Sequence, residues 1–434
     1  MHSSFDKLRT RIQQSLPSMQ HTLDCPMNTI SAERIVTDTP AARPIVRVLA
    51  GHNRRARGGH PWIYSNELEM SRSAKALEPG TLVTLVDQAG QALGTAMFNP
   101  HTLIAARILA HKAEAAIDRG FFAARIRRAL ALREQLVGAP YYRLIHSEAD
   151  AVPGLIADRY GDVLVLQANT AGIDRLLPEV LAAFDEVLSP RAVVLRNDSS
   201  VRTQEGLPTE TRVAKGAIDG PVELQENGAT FLVDVIEGQK TGWFFDQRDN
   251  RALVARLASG ARVLDAYAYL GGFGIAAARA GARSVTCIEG SAPAIALGER
   301  AAQRNGVAEK LSFVRGEAFA EMERRAAAKE KFELVVCDPP AFVKSKKDLG
   351  AGARGYRKMT RLAAGLVAPN GTLFVASCSH NVDRARFVEE VARGLNDAGR
   401  DGRILASTGA APDHPVHPHL PETAYLKGEL ITLD

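Results

Sequence analysis

The chain has 434 residues, 46% hydrophobic and 24% charged, enough for two or three globular domains and unlike a low-complexity or disordered protein. The net charge of +5 is a mild basic excess, compatible with nucleic acid without demanding it, and no run of about 18 apolar residues predicts a membrane helix. The four cysteines (Cys25, Cys287, Cys337, Cys378) form no C-x-x-C, which argues against a zinc site or disulfide framework and, with no signal-peptide core at the N-terminus, for a soluble cytoplasmic protein without a metal.

Residues 1–42 are polar and aperiodic, so a disordered or weakly helical extension is expected, with Met27 as an alternative start. From Arg43 the pattern changes. Five arginines (Arg43, Arg47, Arg54, Arg55, Arg57) precede the first acid, Glu67, and Trp62 and Tyr64 lie among them and that acid. Short alternating runs follow, with turns at Gly80, Asp87–Gly90 and Asn99–Pro100, and predict a small β-domain over 43–115. A basic, aromatic-flanked face suits an RNA backbone, with Arg54, Arg55 and Arg57 as phosphate contacts. The plain alternative is a solvated basic surface beside a core tryptophan.

Residues 116–225 read as an α+β module. A helix is expected over 118–135, then a hairpin around Val152–Leu155, a helix at Leu176–Val187 and a strand at Ala192–Arg196. This region carries no evident chemistry. A second hairpin, turning at Asn227-Gly228, leads into a C-terminal α/β domain placed at 226–434.

The centre of that domain is residues 261–291. A short apolar run ends in Asp265. Gly271, Gly272 and Gly274 open an Ala-rich helix, and a second apolar run ends in Glu289. Strand, glycine turn, helix, strand and acid make a nucleoside-cofactor unit, in which glycines admit a ligand and the acid accepts ribose hydroxyls. Gly272, Gly274 and Ala277 satisfy the G-x-G-x-x-A of dinucleotide sites, but the phase is wrong for NAD. Asp265 stands where a pyrophosphate would meet the helix N-terminus, and a carboxylate there suits the cationic S-adenosylmethionine. Just upstream, Asp246 reads as a helix cap, and Gln247 and Arg248 as holders of the cofactor's polar end. Downstream, Glu317 and Ala318 follow a third strand, where an adenine amino group could be recognised. Glu317 reads equally as an exposed acid at a helix start.

Strand Phe332–Cys337 leads into Asp338-Pro339-Pro340, whose prolines force extended backbone at a strand end. D-P-P before an aromatic is a nucleobase-methyltransferase signature, with Asp338 on the edge of a flipped base. The basic run 344–361, with Lys344, Lys346 and Arg354, reads as a mobile loop that closes over RNA phosphates or as a plain solvated loop. After a turn at Pro369–Gly371, strand Thr372–Ala376 delivers Cys378 to the sheet edge that carries Asp338. A thiolate there is a nucleophile for a pyrimidine. Cys287 and Cys337 read as core.

Three strings then carry a family resemblance: G-H-x-x-x-x-x-x-G-H-P-W-I-Y-S-N from Gly51, K-T-G-x-x-x-D-Q-R-x-N-R from Lys240, and D-H-P-V with P-E-x-x-Y-L-K-G near the C-terminus. Residues 43–434 resemble the PUA-domain class I methyltransferases that make 5-methylcytosine in large-subunit ribosomal RNA. The resemblance implies a small PUA-like RNA-binding barrel, an α+β middle domain and a seven-stranded Rossmann-like methyltransferase domain. It implies S-adenosylmethionine as cofactor, ribosomal RNA as partner, no membrane, and leaves a homodimer open. Cys378 and Asp338 would be catalytic. Two positions depart from the family: Leu270 stands where Thr is common, and Glu289 where Asp is usual. Ala341 occupies the place of a second cysteine found in many RNA cytosine methyltransferases. A dehydrogenase, a non-catalytic RNA-binding protein and a methyltransferase of guanine N7 or an exocyclic amine are the competing readings.

Overall fold

Three sheets and one hairpin succeed one another along the chain in a computed structural model that describes residues 43–434; the expectations for 1–42 and Met27 fall outside the described residues. The first sheet has five strands in the spatial order Ile45–Arg47, Thr81–Val86, Ala92–Phe98, Ile104–Ala110, Trp62–Tyr64. Val46, Ile63, Val83, Leu85 and Phe98 close its core.

A helix, Arg119–Val137, then leads into the middle sheet. Asp118 caps it by accepting from the Phe121 amide at 2.9 Å, and Gly138 ends it at φ +72°. The middle strands run in the order Glu210–Lys215, Ala192–Asn197, Val163–Ala168, Leu155–Tyr160, Tyr141–His146. VLVLQA and AVVLRN are nearly continuous apolar runs, so both faces of those strands must be covered. Helices Arg119–Val137 and Leu177–Leu188 cover one face through Phe122, Ile126, Val180 and Phe184. On the other face Val165 and Val194 share one core with Phe231 of the second hairpin and Val263 of the last sheet. The middle module and the C-terminal domain are therefore built on a common hydrophobic contact. The hairpin pairs Val222–Glu226 with Ala229–Val233, and Asn227 and Gly228 both take positive φ, as a two-residue turn requires. The expected boundary at 225/226 falls inside it.

The last sheet has seven strands: Leu311–Arg315, Ser284–Glu289, Arg262–Ala266, Phe332–Cys337, Val367–Ser377, Lys427–Leu433, Gly402–Thr408. The first five are parallel, and Lys427–Leu433 is antiparallel to both its neighbours. Alternation buries Val263, Val285 and Phe374 on one face and Leu264, Ile288 and Leu373 on the other. The chain leaves the Arg262–Ala266 strand toward one edge and returns on its other side. That makes a switch point between Arg262–Ala266 and Phe332–Cys337, with the carboxyl ends of five parallel strands along one rim.

Two expectations fail here. The run 344–361 is mostly helix, not a mobile loop: Leu349–Leu366 buries Tyr356, Met359, Thr360 and Ala363 at helical spacing. Gly352 is there for close packing, since a Cβ would lie 2.5 Å from the Phe342 carbonyl oxygen. Pro369–Gly371 is a bulge within strand Val367–Ser377 rather than a turn before it.

Candidate active site

A cleft of about 1030 Å³ runs along the rim of strand ends. One wall carries Tyr267, Tyr269, Glu289, Glu317, Asp338 and Cys378. The opposite wall comes from the first two sheets, through Trp62, Arg107, His146, Asn169 and Ser199. The middle module, expected to carry no chemistry, thus lines part of the site. Trp62 ties the first two sheets together there, its indole donating to Glu148 at 2.8 Å.

At the first end, Glu289 is held by the backbone. Its two carboxylate oxygens accept from the amides of Tyr269 and Ser291, each at 2.8 Å. One lone pair on each oxygen stays open to the cleft, the arrangement that a vicinal diol needs. Ile288 and Ala318 add apolar surface beside it, and the buried Tyr267 hydroxyl has no partner. These residues fit a ribose and an adenine ring. Glu317 lines the same end but spends one oxygen capping helix Ala318–Ala327, accepting from the Ala320 amide at 2.9 Å. The helix-start reading of Glu317 describes this exposed cap, and its place on the cleft lining leaves one carboxylate oxygen for a ligand.

Several expected cofactor contacts lie elsewhere. Asp265 is buried beneath the floor, where it accepts from the Gly274 amide at 2.8 Å. Burial, reinforced by Asp338, pushes its pKa up to about 7. Gly271 and Gly272 are not on the cleft surface. A Cβ on Gly272 would meet Arg251 Nε at 2.7 Å, and one on Gly271, at φ +74°, would meet Phe313 at 2.9 Å. These glycines make room for protein side chains, not for a ligand. Arg248 is structural too. It donates to the Tyr141 carbonyl at 2.5 Å and lies 3.6 Å from Asp413. Gln247 is buried beside Asp338 and draws that acid's pKa down rather than facing the cofactor end. Asp246 does not cap the following helix; it accepts from the Tyr425 hydroxyl at 2.5 Å.

At the other end two neighbouring strands deliver their loops to one place. Cys378 Sγ lies 3.9 Å from the Pro339 carbonyl oxygen, so the thiol and the D-P-P segment meet. Burial raises the Cys378 pKa, Lys240 lowers it, and Asp338 and Asp246 raise it. Burial and then Asp246 push Asp338 up to about 7. The Cys378 loop is fixed from below by Lys427, whose ammonium donates to the carbonyls of Ser379 and Val382 at 2.7 Å each. Tyr425 packs on His380 with ring centres 5.1 Å apart. Cys287 and Cys337 are fully buried.

The sequence alone assigned no role to Tyr267, Tyr269, Lys240, His380, Tyr425 or Lys427, although Lys240 opens one of the family strings. Tyr267 and Tyr269 take positive φ, +66° and +51°, unusual for bulky residues and typical of strained functional loops. Their signal was the Y-A-Y spacing directly after the first strand. Tyr425 and Lys427 sat inside a matched string to which no role had been given.

The basic face of the first sheet is less free than its sequence suggests. Arg55 pairs with Glu67 at 3.0 Å, and Arg57 with Asp87 at 2.5 Å. The acids missing nearby in sequence arrive from later in the chain. Arg54 is exposed and has no ion pair among the described residues. Lys344 is exposed, Arg354 is exposed on helix Leu349–Leu366, and the Lys346 side chain falls outside the described residues.

Comparison with known proteins agrees with this geometry. Residues 46–111 match a PUA-like domain family, and residues 195–407 match an S-adenosylmethionine-dependent methyltransferase family. Ribosomal RNA large subunit methyltransferase I of Pseudoalteromonas translucida is 35% identical over 392 residues, 88% of this chain and 98% of that protein. The protein of the same name from Pseudoalteromonas atlantica is 36% identical over 373 residues, 85% and 94% of the two chains. The crystal structure of SMU.776, assigned as a methyltransferase and solved with SAH, superposes with a TM-score of 0.77 at 20% identity, covering 90% of this chain and 100% of that one. That likeness establishes the fold. The curated relatives, aligned over nearly their whole length, establish that this chain belongs to the ribosomal RNA large subunit methyltransferase I family, S-adenosylmethionine-dependent methyltransferases that begin with a PUA-like domain.

Proposed function

We propose that this protein methylates C5 of a cytosine in large-subunit ribosomal RNA through a transient covalent bond from Cys378. The observation that carries this reading is the meeting of Cys378 with the Asp338-Pro339 segment at 3.9 Å inside the cleft. The relatives' name supplies the RNA class. The cleft volume lies at the top of the ~300–1,000 Å³ of a typical small-ligand pocket, room in keeping with a cofactor beside an extruded base.

Chemistry decides among the target atoms. Guanine N7 and exocyclic amines are already nucleophiles, and positioning suffices for them. Pyrimidine C5 is not, and needs an adduct at C6. In this reading Glu289 holds the ribose of S-adenosylmethionine, Ile288 and Ala318 flank the adenine, and Glu317 and Tyr267 recognise its edge. When bound, S-adenosylmethionine supplies an electrophilic methyl group, which C5 takes. The Cys378 thiolate forms the S–C6 bond and pushes the ring's electron pair toward C5 and N3. Asp338, which keeps its proton in part of the molecules at neutral pH because its pKa is pushed up to about 7, gives that proton to N3. The C5 proton then passes to water, its electron pair restores the ring double bond, Cys378 leaves as thiolate, and N3 returns the proton to Asp338. Trp62 and the middle-module wall hold the RNA around the target, and Arg54, Lys344 and Arg354 are its phosphate contacts.

Nucleoside mass spectrometry of ribosomal RNA from a deletion strain tests the atom. One 5-methylcytosine should vanish from the large subunit and return with the wild-type gene. Loss of a methylated purine instead would leave Asp338 its place and return Cys378 to a packing role.

A further inference from the structure

Three cations line the cleft: Arg107, Arg143 and Lys240. Arg107 is paired with Glu205 at 2.8 Å, and Arg143 with Asp158 at 2.7 Å. Lys240 has no ion pair among the described residues; its ammonium lies over the Phe244 ring, 4.8 Å from the centroid. Its backbone takes φ +50°, the left-handed region that lysine avoids. Such a conformation persists only where the surroundings enforce it.

The surroundings do so from both domains. The Thr241 hydroxyl donates to Asp158 at 2.6 Å, and the Tyr160 hydroxyl donates to the Thr241 carbonyl at 3.1 Å. Arg196 donates to the Gly238 carbonyl at 2.8 Å. Tyr269 accepts from the Gln239 amide at 3.2 Å and donates to the Gly242 carbonyl at 3.0 Å. Gly242 itself, at φ +112°, leaves no space for a Cβ, which would lie 2.5 Å from Val233. The lysine loop is thus clamped between the middle sheet and the cofactor-end tyrosine.

The groups that feel the Lys240 charge are Cys378, Asp338, Asp246 and His380. Tyr356, Tyr425 and Lys427 also face Cys378. Lys427 has committed two of its hydrogens to main-chain carbonyls, and Tyr425 donates to Asp246. Among these groups Lys240 is the cation with its hydrogens still uncommitted. Its side chain is exposed and lines the same cleft as Cys378, and its backbone is held, so a cation already stands in the cleft where negative charge appears.

We propose that Lys240 is the charge partner of the Cys378 sulfur, held in place by Asp158, Tyr160 and Arg196 of the middle sheet. The S–H bond breaks, the proton leaves to water, and the electron pair stays on sulfur beside the ammonium. This role rests on the reading of Cys378 as nucleophile. It also gives the middle module a part in the chemistry.

The test is the pH profile of iodoacetamide alkylation on the full-length protein in a Cys25→Ser background, with the Cys378 peptide quantified by mass spectrometry. Cys287 and Cys337 are buried and should react slowly. In Lys240→Met the midpoint should rise by about one pH unit, a roughly tenfold loss of thiolate below it. Lys240→Asn, better suited to left-handed backbone, should do the same, and Lys240→Arg should restore most of the wild-type profile. The methylation kcat should fall in both neutral variants, with KM for RNA within about twofold of wild type. An unchanged alkylation profile in folded Lys240→Met and Lys240→Asn overturns the proposal, as does a loss confined to KM for RNA, which would make Lys240 a phosphate contact. Retained turnover in Cys378→Ala overturns the nucleophile reading and this role with it; an inactive Cys378→Ala with an unchanged Lys240 profile overturns this role alone.

Discussion

The two ends of the cleft are wired in opposite ways. At the Glu289 end the carboxylate rests on two amides and Tyr269 is locked at its hydroxyl. At the Cys378 end, Asp338 and Asp246 crowd the thiol, Asp246 Oδ1 has no partner, and burial pushes both Asp338 and Cys378 up. The Glu289 carboxylate is satisfied at rest, although the Tyr267 hydroxyl beside it is unpartnered, and suits the holding of neutral hydroxyls. The Cys378 end is unsatisfied at rest, which is where a substrate's developing charge is worth most. Binding and chemistry should therefore separate along the cleft.

The largest effect should come from Cys378→Ala, with turnover down by at least about 10³-fold and S-adenosylmethionine affinity within about twofold. A parallel loss of affinity, by calorimetry, would merge the two ends. Asp338→Asn should lower turnover by about 10²–10⁴-fold. Its pH profile carries a sign: the working form pairs protonated Asp338 with the Cys378 thiolate, whose pKa is the higher of the two, so wild-type activity should stop rising as pH passes about 7, while the variant should go on rising with the thiolate. At the other end, Glu289→Ala should weaken cofactor binding by about 1–3 kcal/mol, roughly 5–150-fold, with kcat at saturation within severalfold. Equal loss in kcat would show that Glu289 serves the chemistry.

Asp265 is the exception at the Glu289 end. Its folded pKa of about 7 lies above the ordinary 3.8, so the native state binds the extra proton and stability falls as pH rises from about 4 to 7. Asp265→Asn should remove that slope, gaining at most about 4 kcal/mol over wild type by pH 8 and little at pH 4. Denaturant titrations at the two pH values measure it; a gain independent of pH would contradict the assignment. The smallest effect should be at the basic face of the first sheet. Arg54→Glu should weaken RNA binding severalfold and flatten its salt dependence. Arg55→Glu should instead destabilise the first sheet, because it breaks the pair with Glu67.

Glu289, Asp338 and Cys378 were legible in the sequence because parallel strands send their carboxyl ends to one rim, so position along each strand implies position in the site. The seven-stranded domain was implied by the family resemblance, and the two hairpins were legible from strand-like runs and from turn residues such as Asn227-Gly228. Lys240, Tyr267 and Tyr269 were not, because their placement depends on positive φ and on hydrogen bonds from a different sheet. The pairing of Arg55 and Arg57 was hidden because Glu67 and Asp87 are distant in sequence. Helix Leu349–Leu366 was hidden because its glycines suggested mobility, while Gly352 packs under Phe342.

The claim on which the rest depends is the covalent bond from Cys378 to the base. RNA carrying 5-fluorocytosine at the target blocks proton loss from C5, so a true adduct cannot resolve. With S-adenosylmethionine present, the wild-type protein should cross-link to that RNA, and mass spectrometry should find the nucleotide on the Cys378 peptide. Cys378→Ala should bind the same RNA and stay free. Full turnover without a cross-link, or a cross-link that survives Cys378→Ala, would contradict the account.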